Sequence, residues 1–137
     1  MSSAQLRINE LLAFNLSGIE DPTLGQMGDW IELYNTGTTT LNLSGYYLTD
    51  NLNKLDEWPI PVGTVIEAGS YLLFWADGKA VADHTNFKLS AIGESIGIFT
   101  SELKVVDSIT YPEQRSNISY GRKDEEWVFF ETSTPGA

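Results

Sequence analysis

Two carboxylates are the first candidates for chemistry in this chain. Glu32 stands between large apolar residues in Asp29-Trp30-Ile31-Glu32-Leu33-Tyr34-Asn35, and Glu94 stands in Gly93-Glu94-Ser95-Ile96. Paired, they would serve as an acid and a base, or as two ligands of a cation. Acid–base work needs one carboxyl protonated and one ionised, set at a defined spacing across a cleft. The sequence shows neither cleft nor spacing. The expectation for both residues is therefore structural: each accepts backbone N–H bonds at a bulge or turn, because buried polar groups must find partners. Arg122 and Lys88 are the candidate counter-charges.

The segment Asp50-Asn51-Leu52-Asn53-Lys54-Leu55-Asp56-Glu57 is rich in oxygen donors. A helical calcium loop needs donors at alternate positions and a central glycine. Leu52 and Lys54 occupy those alternate positions, which excludes that loop. An irregular calcium site on Asp50 and Asp56 is the alternative to a solvated loop, and the solvated loop is expected. His84 is the only histidine, so a two-histidine zinc site or a triad is impossible or incomplete. It is expected at the surface or packed in a loop beside Asp83. Gly93-Glu94-Ser95-Ile96-Gly97 has the spacing of a nucleophile elbow but continues into an apolar strand pattern rather than a helix. Ser17, Ser44 and Ser119 have no such elbow around them.

Trp58, Trp75, Trp127, Tyr46 and Tyr47 could stack on sugar rings, but aromatics of this number are expected in the core or at its rim. Trp75 reads as core, and Trp58, between Glu57 and Pro59, as the most exposed. The sequons at Asn15, Asn42 and Asn117 matter only in a eukaryotic secretory setting. Cysteine is absent, which removes thiol chemistry and disulfides without fixing the compartment. No catalytic, cofactor-binding or metal-binding residue is assigned, and no cofactor is expected.

The elements that must position these side chains are strands. Residues Trp30 to Tyr34 alternate with period two, the mark of a strand with one buried face, and Asn35-Thr36-Gly37 closes it with turn chemistry. Similar runs occur at Leu6–Phe14, Leu41–Leu43, Tyr46–Thr49, Val65–Ile66, Tyr71–Trp75, Phe87–Leu89, Ser95–Phe99, Val105–Tyr111, Ser119–Arg122 and Trp127–Phe130. Ile19–Gly28 reads as a loop, and Lys79–Asp83 holds one helical turn at most. Trp58-Pro59-Ile60-Pro61 cannot be a central strand, because proline donates nothing to a ladder. Short strands with turns at close intervals predict an all-β, antiparallel sandwich or barrel.

The length of 137 residues suits one domain. Residues 1–5 are expected to be a leader or flexible start and 6–137 the single domain. With no secretory signal pattern, the chain reads as a module taken from a longer protein. The net charge is −11 with only eight basic residues. Nucleic-acid binding, which rests on Lys and Arg neutralising phosphates, is therefore not expected. Anionic membrane surfaces are disfavoured likewise, and no apolar run reaches the roughly 20 residues a membrane helix needs, so insertion is not expected. Cations and basic protein surfaces suit the charge.

A family resemblance rests on an ordered set of motifs. The Asp29–Asn35 strand is followed by Leu41-Asn42-Leu43-Ser44-Gly45-Tyr46-Tyr47-Leu48-Thr49-Asp50, then by Ala68-Gly69-Ser70-Tyr71-Leu72-Leu73-Phe74-Trp75-Ala76. Asn86-Phe87-Lys88-Leu89, Gly93-Glu94-Ser95-Ile96, Val106-Asp107-Ser108-Ile109, Ser119-Tyr120-Gly121-Arg122 and Thr134-Pro135-Gly136 complete it. In this order they resemble the lamin-tail domain in its bacterial form, from about Leu6 to Ala137. The resemblance implies an immunoglobulin-like antiparallel β-sandwich without catalytic activity. It also implies an interaction or anchoring module of a larger bacterial envelope or exported protein, with a protein partner or envelope component. A calcium- or carbohydrate-binding accessory module is the alternative. The chain lacks the basic surface, nuclear localisation run and coiled-coil rod of animal lamins, so chromatin and filament roles do not carry over. A monomer, or a weak homodimer through edge strands, is expected.

Overall fold

The computed structural model describes residues 6–13, 29–80, 83–90, 92–113, 119–123 and 126–130. The expected leader at 1–5, the loop at 19–28, Asn15, Ser17, Asn117 and Thr134-Pro135-Gly136 lie outside them. The described residues form an antiparallel β-sandwich without helices. The strands are β1 (Leu6–Leu12), β2 (Asp29–Asn35), β3 (Leu41–Asn42), β4 (Tyr47–Thr49), β5 (Trp58–Pro59), β6 (Val65–Ile66), β7 (Tyr71–Ala76), β8 (Glu94–Phe99), β9 (Val105–Tyr111), β10 (Ser119–Lys123) and β11 (Glu126–Phe130). A five-stranded sheet runs β11-β10-β1-β2-β7, a four-stranded sheet runs β5-β4-β8-β9, and β3 pairs with β6 as a separate ribbon.

Alternation sorts the side chains. Leu6, Ile8 and Leu11 of β1, Ile31 and Leu33 of β2, and Phe74 and Ala76 of β7 enter the main core, where Leu48, Ile96 and Ile98 meet them from the second sheet. Strand β2, however, has two closed faces. Trp30 and Glu32, which alternation turns away from the main core, are 0% and 1% exposed. Trp30 packs with Leu12, Trp75 and Leu73 in a second, smaller cluster. The single buried face expected from the pattern is thus half of the arrangement, since a Trp on the outer side brings its own apolar area to bury.

In β1 the phase slips once. The register with β2 passes from Ile8↔Leu33 to Glu10↔Glu32, leaving Asn9 as the extra residue of a β-bulge. Pro59 does pair, as a two-residue strand at the edge of the four-stranded sheet, where a missing N–H costs no ladder bond. One expectation is corrected. Phe87–Leu89 forms no strand: only Lys88 bridges, to Asp77, while the Thr85 hydroxyl holds Phe87 through its carbonyl. In Lys79–Asp83, residues 81 and 82 lie outside the described residues, and Ala80 has φ +53°, outside the right-handed helical region. At Gly93 the backbone has φ +106° and passes so near β9 that a Cβ would sit 2.8 Å from the Tyr111 carbonyl oxygen, so glycine is required there.

Candidate functional site

The two carboxylates singled out in the sequence belong to different sheets, and each has other partners. Glu32 faces Glu10 directly across β1 and β2, and both are 1% exposed. Glu32 Oε1 accepts a hydrogen bond from the side-chain amide of the bulged Asn9 at 3.0 Å. Glu10 Oε2 accepts one from the Ser119 hydroxyl of β10 at 2.6 Å. The bulge was the expected place for Glu32, and the side-chain amide of the bulged Asn9 is a donor to it there. Glu10 was missed, although Ile8 and Leu11, three apart and both apolar inside a strand pattern, already signalled an extra residue between them.

Glu94 opens β8. Its Oε2 accepts from the Ser90 N–H at 2.9 Å and from the Tyr111 hydroxyl at 3.1 Å, which is the turn-locking role expected. Burial pushes its carboxyl above the usual glutamate range against those two bonds, and Glu57 adds to the rise. Burial and the Glu94 carboxylate push the Tyr111 hydroxyl up in turn. The counter-charges are elsewhere. Arg122 Nη2 lies 2.9 Å from Asp107 Oδ2, and its Nε donates to the Ile8 carbonyl at 2.9 Å. Lys88 is exposed.

The Asp50–Glu57 segment is an ordered turn. Glu57 Oε1 accepts from the Thr49 hydroxyl at 2.8 Å and from the Asp50 N–H at 3.0 Å, and the Asn51 carboxamide oxygen accepts from the Asn53 N–H. The Asp50 carboxyl is pushed up to about 7, by burial first and then by hydrogen bonding to Glu57 and the negative charges of Glu57 and Glu94. Burial pushes Glu57 the same way, but its bonds from Asp50 and Thr49 outweigh that and hold it below the usual range. The two carboxyls thus share a proton. Among the described residues, no group of three or more His, Cys, Asp or Glu could hold a metal ion.

His84 is fully buried, not at the surface. Its Nδ1 lies 2.6 Å from Asp77 Oδ2, and Asp83 Oδ1 is 3.6 Å from Nε2. Burial follows from pairing: Trp75 donates its N–H to the Asp83 carbonyl and accepts from the Thr85 N–H, which draws the segment against β7. Trp58 is likewise buried, edge-on to Phe74 with ring centroids 5.6 Å apart, so the leading aromatic for sugar stacking belongs to the core. Trp75 is core as expected. Trp127 stacks on Tyr120 at 5.2 Å and lies under the Arg122 guanidinium at 4.9 Å. The Ser95 hydroxyl is bonded to that of Thr110 at 2.6 Å, in a strand rather than at an elbow.

Described residues line a groove of about 420 Å³. It is lined by Pro61, Gly63, Thr64 and Val65 on one wall, by Leu72 and Phe74 of β7 on the other, and by Asp83. None of the residues singled out above for chemistry lines it.

A family model, the Lamin Tail Domain, matches residues 1–113. The match therefore spans β1 to β9, and β10 and β11 lie beyond it. No curated protein matches the chain.

Proposed function

The chain belongs to the lamin tail domain family, whose immunoglobulin-like domains are typically non-enzymatic modules, and from that premise we propose that it serves as an interaction or anchoring module of a larger bacterial envelope or exported protein. The observation that carries this reading is the use to which the polar side chains are put. Glu32, Glu10, Glu94, His84 and Ser95 are each engaged by a neighbour that the fold itself supplies. A general base or nucleophile needs an open reach to substrate as well as a perturbed environment. The groove, in contrast, offers shape and apolar surface with a single carboxylate, Asp83, and no second acid or base in its lining, which suits recognition rather than turnover.

The strong negative charge supports a protein partner with a basic surface over nucleic acid or an anionic membrane. The alternative, a carbohydrate- or calcium-binding accessory role, draws less support: Trp58 is committed to the core, and Glu57 and Asn51 already accept bonds from within their own turn. The purified domain is tested against polysaccharide, ester and nucleic-acid substrates, and with calcium by calorimetry. No turnover and no calcium heat are expected. Turnover of any substrate by the domain alone overturns the proposal, and a saturable calcium heat transfers it to the alternative.

A further inference from the structure

Strand β7 ends the five-stranded sheet, and its outer edge is only partly used. In an antiparallel ladder, residues alternate between those bonded to the neighbouring strand and those whose N–H and C=O point away from it. The phase is fixed at both ends of β7. Asn35 donates to the Ser70 carbonyl on the β2 side, and Trp75 makes both of its bonds outward, to Asp83 and Thr85. Leu73 and Tyr71, two and four residues before Trp75, must therefore also point outward. No bond from a described residue reaches their backbone groups on that side. The segment Asp83–Thr85 thus occupies one end of a lane beside β7 and leaves the rest of the lane open.

The groove runs along this lane. Its β7 wall is Leu72 and Phe74, its far wall includes Val65, which is 49% exposed, and Asp83 is the charged residue of its lining. A strand laid in the lane would direct every second side chain into the groove. One such side chain meets Leu72, Phe74 and Val65. Another, two positions away, meets the Asp83 carboxylate, in a chain whose net charge is already −11.

We propose that the open edge of β7 at Tyr71–Leu73 accepts an extended segment of a partner protein as an added strand, with an aliphatic side chain in the groove and a Lys or Arg two residues away on Asp83. Main-chain bonds to Leu73 and Tyr71 supply affinity, and the groove supplies selectivity, the division of labour of strand addition. The lane is short, so the complex is a weak and reversible one. The proposal rests on the interaction-module reading above and gives it a partner chemistry.

The probe is a blocked hexapeptide of threonines carrying valine and lysine two positions apart. It is titrated into the ¹⁵N-labelled domain and followed by the amide resonances of residues 70–76. Saturable shifts at Tyr71 and Leu73 are expected. They should vanish when alternate peptide amides are N-methylated, and the affinity should fall about tenfold for Asp83→Asn, for Val65→Asp, or for glutamate in place of the peptide lysine. Val65 is half-exposed, so its variant keeps the fold. Three results overturn the proposal: no shift at millimolar peptide, shifts confined to β9 or β11, or affinity unchanged in Asp83→Asn. Dimerisation through β7 without peptide, seen by light scattering, also overturns it by assigning the lane to a second copy. These failures leave the non-catalytic reading standing, whereas turnover in the substrate assays removes both.

Discussion

Glu10 and Glu32 face each other across β1 and β2, both closed to solvent, each bonded by a different donor. Asn9, thrown out of register by the bulge, serves Glu32, and Ser119 on the far side of β1 serves Glu10. Like charges directly opposite on a sheet repel, and buried carboxylates without donors are costly. The bulged amide and the hydroxyl both help to make this pair tolerable. They also tie β10 to β1 to β2, so the carboxylates act as joints in the five-stranded sheet.

The first prediction concerns that joint. Glu32→Ala removes an acceptor from the half-buried Asn9 amide and leaves a void where a buried side chain stood, at a cost of about 2–4 kcal/mol. Glu32→Gln, which keeps an acceptor oxygen, should cost about half as much or less. Glu10→Ala and Glu32→Ala should also be non-additive by about 0.5–3 kcal/mol, because the two residues touch the same ladder position. Urea denaturation of the two single variants and the double variant measures this. Strict additivity would show that the carboxylates do not sense one another.

Arg122 joins the two sheets. Its guanidinium holds the Ile8 carbonyl and the Asp107 carboxylate, and the same Asp107 Oδ2 accepts the Ile8 N–H at 2.8 Å. The bulge beginning at Ile8 thus has both of its backbone groups capped by one ion pair, most of it buried. Arg122→Ala strands a carboxylate and should lower stability by about 2–4 kcal/mol. Arg122→Lys should recover less than half of that, since a point charge cannot reach both acceptors as the planar fork does. Thermal unfolding of both variants checks it, and full recovery by lysine would reduce the role of Arg122 to charge alone.

Period and turn chemistry made most strands legible, because alternation in runs such as Ile31–Leu33 or Ser95–Phe99 is imposed by a buried sheet face whatever lies around it. What stayed hidden depends on contacts between distant residues. The polar neighbours of Trp58 suggested exposure, yet Phe74, 16 positions later, is what it packs on. His84 read as a surface or loop-packing residue beside Asp83, and what buries it is the backbone pairing of its segment with Trp75 at the sheet edge. Glu94 was legible, since Gly93 and the apolar run after it mark a strand start where a carboxylate serves as an acceptor. Arg122 was singled out correctly but with the wrong partner, because nothing in a sequence says that β10 and β9 meet around Ile8. The groove was not legible at all: its lining comes from three separate segments that only the fold brings together.

His84 fastens the segment that fills the end of the β7 lane. A carboxylate oxygen only accepts, so Nδ1 carries the hydrogen in the 2.6 Å contact with Asp77. His84→Ala leaves that carboxylate without this donor and opens a void in a fully buried place, at about 2–4 kcal/mol. Loss should be local before it is global. The amides of Trp75 and Thr85, whose bonds pin the segment, should exchange with solvent markedly faster than those of β2. Hydrogen exchange read by NMR tests this, and unchanged protection at both amides would refute it.

The pH dependence of stability follows from the proton shared by Asp50 and Glu57. The folded chain holds the Asp50 proton up to about 7, whereas the unfolded chain releases it near the ordinary 3.8. Between those values the native state binds more protons than the unfolded state, so stability falls as pH rises through that window. Glu94, raised by burial, acts with the same sign. Glu57, held low, acts oppositely: its contribution is present above 4.5 and is lost as pH falls towards its lowered value. The positive charge of Lys54 also favours the ionised Glu57. The urea midpoint should therefore rise as pH is lowered from about 8 to about 4.5, and decline only below about 3.8, where the Asp50 gain is complete and the loss from Glu57 is unopposed. General charge repulsion in a chain of −11 gives a slope of the same sign, so the variant decides between them. Asp50→Asn keeps the shape but carries no titrating proton, and it should raise the midpoint at about pH 8 and flatten the upper limb. An upper limb of unchanged slope in Asp50→Asn would assign the dependence to net charge and not to this pair.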